Sequence, residues 1–278
     1  MKWHIVADTS CDLFDLVDPA DNVDFAAVPF TIRIGDKEYI DDEHISVEEM
    51  LTANENHSEI AQTACPAPQD WIPYFEVPGP VLVFTISSAL SGSYNSACTA
   101  RTMVLEEDPD KQIAVIDTRA TGAESVIIIR KACELIQAGL PFEKIVPALE
   151  DTAARTHTIF ALASYHNLIK NGRVSRLIGF IAGHLGFWGI GAGSDEGEIV
   201  IRGKARGVRS MVRFLVEEIK KTGVAGKMIY INHCQNLEAA GELKKQLTAV
   251  FPSVAVNILP TRGLDSFYAE RHGLIVGF

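Results

Sequence analysis

Short apolar runs alternate with segments of helical periodicity through the first half of the chain. The runs Trp3–Ala7, Val81–Ile86 and Gln112–Asp117 are β-branched and nearly continuous in hydrophobicity, which is typical of strands buried on both faces. Between them, segments such as residues 94–107 place apolar side chains on one stripe at helical spacing. This alternation predicts an α/β fold whose first domain, residues 1–155, contains a mostly parallel, doubly wound sheet.

The second half has a different pattern. Residues 156–170 indicate a strand that leads into a helix, and Phe187–Ile201 alternates around a turn at Asp195–Gly197 as a hairpin does. Further strands are predicted at Met228–Cys234 and Ala255–Pro260, separated by helices. We therefore expect residues 156–278 to form a second, α+β domain with a mixed sheet.

Local turn and cap patterns refine this prediction. Ala26–Ile34 and Lys37–Ile40 flank Gly35-Asp36, a two-residue hairpin turn. Ser46 and Glu49 form a capping box at the start of a helix. The basic residues from Arg202 to Arg209 are expected to lead into the next helix, and such a cluster is most often a solvated face.

The turn Ser87–Ser93 follows a predicted strand and precedes a predicted helix. It contains four serines and one glycine, and neither lysine nor arginine. Unpaired amides at a helix start attract an anion, and hydroxyls add further donors. Without the lysine of a nucleotide-binding loop, the turn suits a small, singly charged group such as a carboxylate better than a polyphosphate. An ordinary capped strand–helix turn explains the same pattern equally well.

Charge and cysteine content limit the classes of function. The net charge is −11, with the acidic excess in residues 1–155 and a basic excess in residues 156–278. The acidic half argues against general nucleic-acid binding. The longest apolar stretch, Leu177–Ile190, is interrupted by glycines, and the amino terminus lacks the pattern of a signal peptide, so we expect no stable membrane insertion. Five scattered cysteines without a CxxC pair favour reduced thiols in a cytoplasmic protein.

Catalytic and metal-binding patterns are weak. The histidines lack HxxxH and HxH spacing, so no metal site is predicted. A serine-dependent hydrolase or acyl-transfer enzyme that uses the turn Ser87–Ser93 is the alternative function, but the sequence has no GxSxG motif and no evident general base for Ser91. Thr63, followed by Pro66 and Pro68 in an extended segment, presents another hydroxyl, although most such threonines only cap a turn.

Seven segments in order resemble the bacterial DegV family, also called the EDD-fold lipid-binding proteins. They are IVADTSCDL, AVPFTIRIGDKEYIDD, TACPAP, TISSALSGSYNSA, IDT, NGRVSR and SDEGEI with the following KARG. The resemblance spans nearly the whole chain. It implies a two-domain protein that holds a long-chain fatty acid such as palmitate in a tunnel between its domains. It also implies a binding subunit without catalytic activity of its own, which presents the acyl carboxylate to a separate fatty acid kinase subunit and needs no cofactor.

The resemblance also implies roles for individual residues. Thr63, Ser91 and Ser93 correspond to ligands of the carboxylate, and Arg173 lies at the family's Gly-Gly-Arg position, facing the carboxylate end or the kinase. His272 is the histidine available to replace the one in the family's carboxy-terminal signature. The side chains proposed for the tunnel wall, which core packing explains equally well, are Phe30, Ile32, Phe160, Leu162, Leu168, Ile178, Ile181 and Leu185.

Three departures from the family pattern concern the carboxylate end. The usual Thr-Ser-Gln-Pro-Ser reads Thr63-Ala64-Cys65-Pro66-Ala67 here, Gly-Gly-Arg reads Asn171-Gly172-Arg173, and the final signature reads Arg271-His272-Gly273-Leu274. These changes bear more on the kinase partner than on lipid binding. A third hypothesis is a regulator without catalytic activity, whose basic second half docks an acidic partner through Arg206 and Arg209.

Overall fold

The computed structural model describes residues 1–16, 19–174 and 186–278. The strands of the first half are β1 (Trp3–Asp8), β2 (Val23–Val28), β3 (Thr31–Ile34), β4 (Lys37–Ile40), β5 (Gln62–Ala64), β6 (Val81–Thr85) and β7 (Ile113–Asp117). The helices of this half are α1 (Val47–Glu55), α2 (Pro68–Phe75), α3 (Ser93–Glu107), α4 (Ala123–Gln137) and α5 (Phe142–Ala153). A short 3-10 helix, Thr9–Cys11, follows β1.

The second half contributes β8 (Thr158–Leu162), α6 (His166–Lys170), β9 (Phe187–Gly193), β10 (Ile199–Arg206), α7 (Val208–Thr222), β11 (Met228–His233), α8 (Leu237–Val250), β12 (Ala255–Pro260), α9 (Gly263–Ala269) and β13 (Leu274–Gly277). None of the helices in the described ranges combines the length and hydrophobicity needed to cross a bilayer.

The predicted sheets are confirmed. Strands β2, β1, β6 and β7 form a parallel sheet in that order. The order of the second sheet is β10-β9-β8-β13-β11-β12, and it is antiparallel except between β11 and β12. All strands of the parallel sheet precede residue 118, and all strands of the mixed sheet follow residue 157. The assignment of residues 1–155 and 156–278 to two domains stays a prediction.

Helix α4 lies between the two sheets, and one continuous core joins them. Ile5 and Phe84 of the parallel sheet, Val126 of α4, and Phe160 and Ile275 of the mixed sheet belong to the same buried cluster. The outer face of the parallel sheet packs against α2 and α3, and the outer face of the mixed sheet packs against α7 and α8. The two sheets therefore share one hydrophobic core.

Two local predictions were wrong in detail. The segment Ala26–Ile34 is not one strand but belongs to β2 and β3, which Pro29 and Phe30 separate, because proline cannot donate to a strand ladder. The Gly35-Asp36 turn does join β3 to β4 as predicted, and β5 pairs with the other side of β3. Arg202, Lys204 and Arg206 lie in β10 rather than at the start of a helix, since pairing with β9 continues to Arg206.

Candidate functional site

The carboxyl ends of the parallel strands bring the Ser87–Ser93 turn next to Asp8. Strands β1 and β6 are in register up to Ala7 opposite Phe84, so Asp8 lies where β6 ends. The Asp8 carboxylate accepts hydrogen bonds from the Ile86 amide (3.0 Å), the Ser93 hydroxyl (2.6 Å) and the Ser10 hydroxyl. Burial raises the pKa of Asp8, and the hydrogen bonds from Ser10 and Ser93 oppose that shift. Asp8 therefore fixes both ends of the turn.

A cavity opens beside this turn, and we call it the head section. It is lined by Phe30, Thr63, Ile86, Leu90, Ser91, Thr121, Leu168, Arg173, Ile199, Leu264, Asp265 and Tyr268. A second cavity, the tail section, lies between the loop that follows β7 and the mixed sheet; its walls include Phe160, Leu162, Ala269 and Ile275. Six residues line both: Leu90, Thr121, Leu168, Ile199, Asp265 and Tyr268. Because they share these six residues, the two sections are adjacent and form one channel.

Three polar side chains converge on the head section. The Thr63 hydroxyl lies 2.8 Å from the Tyr268 hydroxyl, and the Arg173 guanidinium lies 6.0 Å from the centre of the Tyr268 ring. Nε and Nη1 of Arg173 donate to the carbonyl oxygens of Leu90 and Asn171. Burial raises the pKa of Tyr268, so its phenol is protonated at neutral pH. The end of the channel thus combines a cation with hydroxyl donors.

Counting hydroxyl protons distinguishes the serines of the turn. The Ser87 hydroxyl donates to the Gly197 carbonyl (2.8 Å), and the Ser93 hydroxyl donates to Asp8, so neither has a proton left for a ligand. The Ser91 hydroxyl accepts from the Ser93 amide (3.3 Å) and also hydrogen-bonds with the Cys65 thiol, whose sulfur is a weak acceptor that a carboxylate can replace. In the Thr63–Tyr268 pair only one of the two protons is used. Ser91 and this pair are therefore the hydroxyl donors that a carboxylate can use.

The structure brings Thr63, Ser91 and Arg173 together at the head section, but not the other two predicted ligands. Ser93 is fully buried and bonded to Asp8. His272 is exposed and does not line the channel; its amide donates to Cys234, and its carbonyl accepts from Asn236.

Sequence reasoning missed Tyr268 and Asp265, because an isolated aromatic or acidic residue in a short helix gives no pattern. The contact of Asp8 with the serine turn was missed as well, because it depends on hydrogen bonds between residues remote in sequence.

One wall of the tail section is formed by the close packing of two neighbouring strands. Phe160 of β8 pairs with Gly191 of β9, and a Cβ on Gly191 would lie only 2.3 Å from the Phe160 ring. The missing side chain at Gly191 therefore lets the ring lie flat over β9. Of the predicted wall residues, Phe30, Phe160, Leu162 and Leu168 line the channel. Ile32 is fully buried in the core without lining it, and Ile178, Ile181 and Leu185 lie outside the described residues.

Comparison with known proteins assigns the family. The model of the DegV family, described as uncharacterised proteins, matches residues 2–270. The chain belongs to the DegV family. It is 38% identical over 278 residues to a DegV domain-containing protein of Streptococcus pneumoniae, covering 100% of this chain and 99% of that protein.

Solved structures agree with this assignment. The fatty acid kinase B3 protein of Streptococcus pneumoniae, loaded with linoleic acid, matches with a TM-score of 0.97 and 38% identity, covering 100% of this chain and 99% of that one. A DegV family protein of Eubacterium eligens loaded with heptadecanoic acid matches with a TM-score of 0.94 and 33% identity, covering 99% of this chain and 98% of that one. The predicted DegV-like fold is therefore confirmed.

Proposed function

We propose that this chain binds one long-chain fatty acid, with the carboxylate at Thr63, Ser91 and Arg173 and the acyl chain in the tail section. The observation that carries the proposal is the joining of an apolar cavity to a short polar end, where the Thr63–Tyr268 pair has a spare hydroxyl proton and the Ser91 hydroxyl has only a weak thiol partner. Burying about 14 methylenes contributes about 11 kcal/mol before the entropy costs of binding. A carboxylate buried against a single hydroxyl would cost several kcal/mol, and three donors together offset that cost. The related proteins that carry linoleic and heptadecanoic acid support this ligand class.

The proposal extends to a partner. A polar depression of about 430 Å³ adjoins the head section and shares Leu90, Arg173 and Ile199 with it, so the carboxylate lies close to a surface that another protein can reach. We infer that the chain has no catalytic activity of its own and presents the carboxylate to a fatty acid kinase subunit. The similarity to a fatty acid kinase B3 protein supports this role. The described residues that line the two sections include no histidine, which is the usual base of a serine hydrolase, so nothing here favours that alternative.

The cellular setting and the domain assignment are part of the same proposal. All five cysteines are free thiols, which the reducing bacterial cytoplasm maintains. We infer that units 1–155 and 156–278 enclose the ligand between them, since the channel walls come from both. No cofactor is needed for binding alone.

Solvent extraction and mass spectrometry test the function. Protein purified from bacteria should release long-chain fatty acid, and the double variant Thr63→Ala/Ser91→Ala should carry at least tenfold less, because two hydrogen bonds to a charged group contribute about 3 kcal/mol or more. Ser88→Ala/Thr102→Ala is the matched control, since both residues are exposed and lie outside the channel walls. Equal lipid in the channel variant and the control would contradict the assigned ligands.

The partner is tested separately. Addition of a purified fatty acid kinase subunit and ATP to the lipid-loaded chain should produce an acyl phosphate, trapped by hydroxylamine, and neither protein alone should do so. Product formed by this chain alone would contradict its non-catalytic role.

A further inference from the structure

Two buried carboxyl groups meet beside the channel, and the function proposed above makes no use of them. Asp265 of α9 lines both the head and the tail section and is 3% exposed. Asp12, which follows the 3-10 helix after β1, is also 3% exposed. The side chains lie close enough for each carboxyl to shift the pKa of the other. Both Oδ2 atoms lie beside Gly122, where a Cβ would come within 2.6 Å of the Asp265 Oδ2 and 3.1 Å of the Asp12 Oδ2.

The surrounding bonds show where a proton is required. Asp12 accepts from the Arg262 amide at Oδ1 (2.6 Å) and from Asn232 Nδ2 at Oδ2 (2.7 Å). Asp265 Oδ1 accepts from the Thr121 hydroxyl (2.7 Å), but its Oδ2 has no donor among the described residues. Two carboxylate oxygens repel each other unless a proton lies between them. The unpartnered Asp265 Oδ2 is the atom that would carry that proton.

Neighbouring charges do not replace the proton. In the described part of the chain, the guanidinium at the cluster is that of Arg262. It lies 3.6 Å from Asp41 at the Nε–Oδ1 contact and donates to the carbonyls of Leu13 and Asp41, so Asp41 offsets its charge. Burial raises the pKa of both Asp12 and Asp265, and Asp41 raises them further. Other titratable groups on the channel walls or adjoining elements include Asp8, Cys11, Arg119, Glu124, Arg173, Glu198, His233, Cys234, Tyr268 and Glu270.

We propose that Asp12 and Asp265 share one proton, and that the uncharged Asp265 this creates allows an acyl chain to pass from the head to the tail section. A desolvated carboxylate at that junction would face both methylene groups and the fatty-acid carboxylate, and it would disfavour each of them. Proton and fatty acid therefore bind with positive coupling, and an alkaline medium favours release of the lipid. This inference rests on the proposed function and adds its regulation.

Affinity measured against pH tests the inference. Delipidated protein is titrated with the fluorescent fatty acid cis-parinaric acid from pH 6.5 to 9.5. The wild type should lose about tenfold or more in affinity across this interval, because each unit of pH above the pair's titration can cost up to tenfold. In Asp265→Asn an amide N–H replaces the proton, so that loss should disappear. The ionisation of the probe itself affects both proteins equally and cancels in the comparison.

Two further samples keep the result interpretable. Glu124→Gln removes another buried acid that bonds to Thr156 and Thr158, and it should retain the wild-type alkaline loss. If Asp265→Asn does not fold, Asp12→Asn supplies an N–H donor from the other side of the pair. The infrared spectra of the wild type and Asp265→Asn are subtracted at pH 8. The difference should contain the carbonyl band of a protonated carboxylic acid that only the wild type has.

The outcomes separate the two proposals. Parallel pH profiles in wild type and Asp265→Asn, or absence of the carbonyl band, overturn the shared proton while leaving fatty-acid binding intact. Failure of both proteins to bind at pH 6.5 overturns the proposed function itself and this inference with it.

Discussion

The head and tail sections both contain threonine hydroxyls, but their protons point in different directions. In the head section, Thr63 forms a hydroxyl pair with Tyr268, which leaves one proton unused. In the tail section, the Thr158 hydroxyl donates to Glu124 at 2.5 Å, so its proton is directed away from the channel. The polarity of each section is therefore set by the acceptor that each hydroxyl has already found. The number of hydroxyls does not decide it.

This difference explains how one channel accommodates an amphipathic ligand. The head section holds Thr63, Ser91 and Arg173, whereas Phe160, Leu162 and Ile275 give the tail section its apolar walls. Arg119 also lines the tail section, where its guanidinium donates to the Asp195 carbonyl. A fatty acid fits this gradient in one direction only, carboxylate at the head and methyl at the tail.

The largest expected effect comes from placing a charge in the channel. Ile199 lines both sections on the half-buried strand β10, so Ile199→Asp should weaken fatty-acid binding by about a thousandfold, since a desolvated carboxylate costs several kcal/mol. Val200→Asp is the matched control, because Val200 is its half-buried neighbour and does not line either section. Fluorescence titration measures both variants. Comparable losses in the two would show that the strand, and not the channel, is affected.

The next effect tests the acceptor behind the tail section. Burial raises the pKa of Glu124 to about 7, against the hydrogen bonds from Thr158 and Thr156. Because the folded state holds the Glu124 proton more tightly than the unfolded chain, the contribution of Glu124 to stability is greatest at acidic pH. That contribution should fall by up to about 1.4 kcal/mol per pH unit from roughly pH 4.5 to 7. Glu124→Gln should remove this contribution to the slope of the unfolding free energy, measured by urea denaturation.

The control for that experiment is an exposed acid on the neighbouring helix α5. Glu150→Gln should leave the slope as in the wild type. An unchanged slope in Glu124→Gln would contradict the assignment of Glu124 as a buried group that titrates on unfolding.

The smallest effect separates two serines of the same turn. Ser93→Ala removes one of the buried donors to Asp8 and should reduce the free energy of unfolding by about 1–3 kcal/mol. Ser91→Ala should change it by no more than about 0.5 kcal/mol, while reducing the bound fatty acid. Urea denaturation and lipid extraction on both variants check this. Equal stability losses would show that the two hydroxyls do not differ as described.

Much of the fold follows from local patterns. The continuous apolar run before Ser87 predicted β6, whose residues are all buried, and the Ser46 capping box predicted α1, where the Ser46 hydroxyl accepts from the Glu49 amide. The serine turn and Thr63 were also found, because hydroxyl-rich turns at strand ends have a recognisable composition.

The remaining features depend on contacts that no local pattern contains. Whether Ser93 binds a ligand or Asp8 depends on a residue 85 positions away. A histidine is a suitable ligand for a carboxylate, but His272 lies at the surface, where its backbone amide donates a hydrogen bond to the Cys234 carbonyl. The Asp12–Asp265 pair joins residues from opposite ends of the chain, so only the folded structure brings them together.

Photocrosslinking tests the direction of the bound ligand most directly. A long-chain fatty acid with a diazirine near its methyl end is bound, irradiated, and located by peptide mass spectrometry. The label should lie on β8 or β13, which contribute Phe160, Leu162 and Ile275 to the tail section. A label on Thr63, Ser91 or the surrounding surface would contradict the proposed orientation and the channel that it requires.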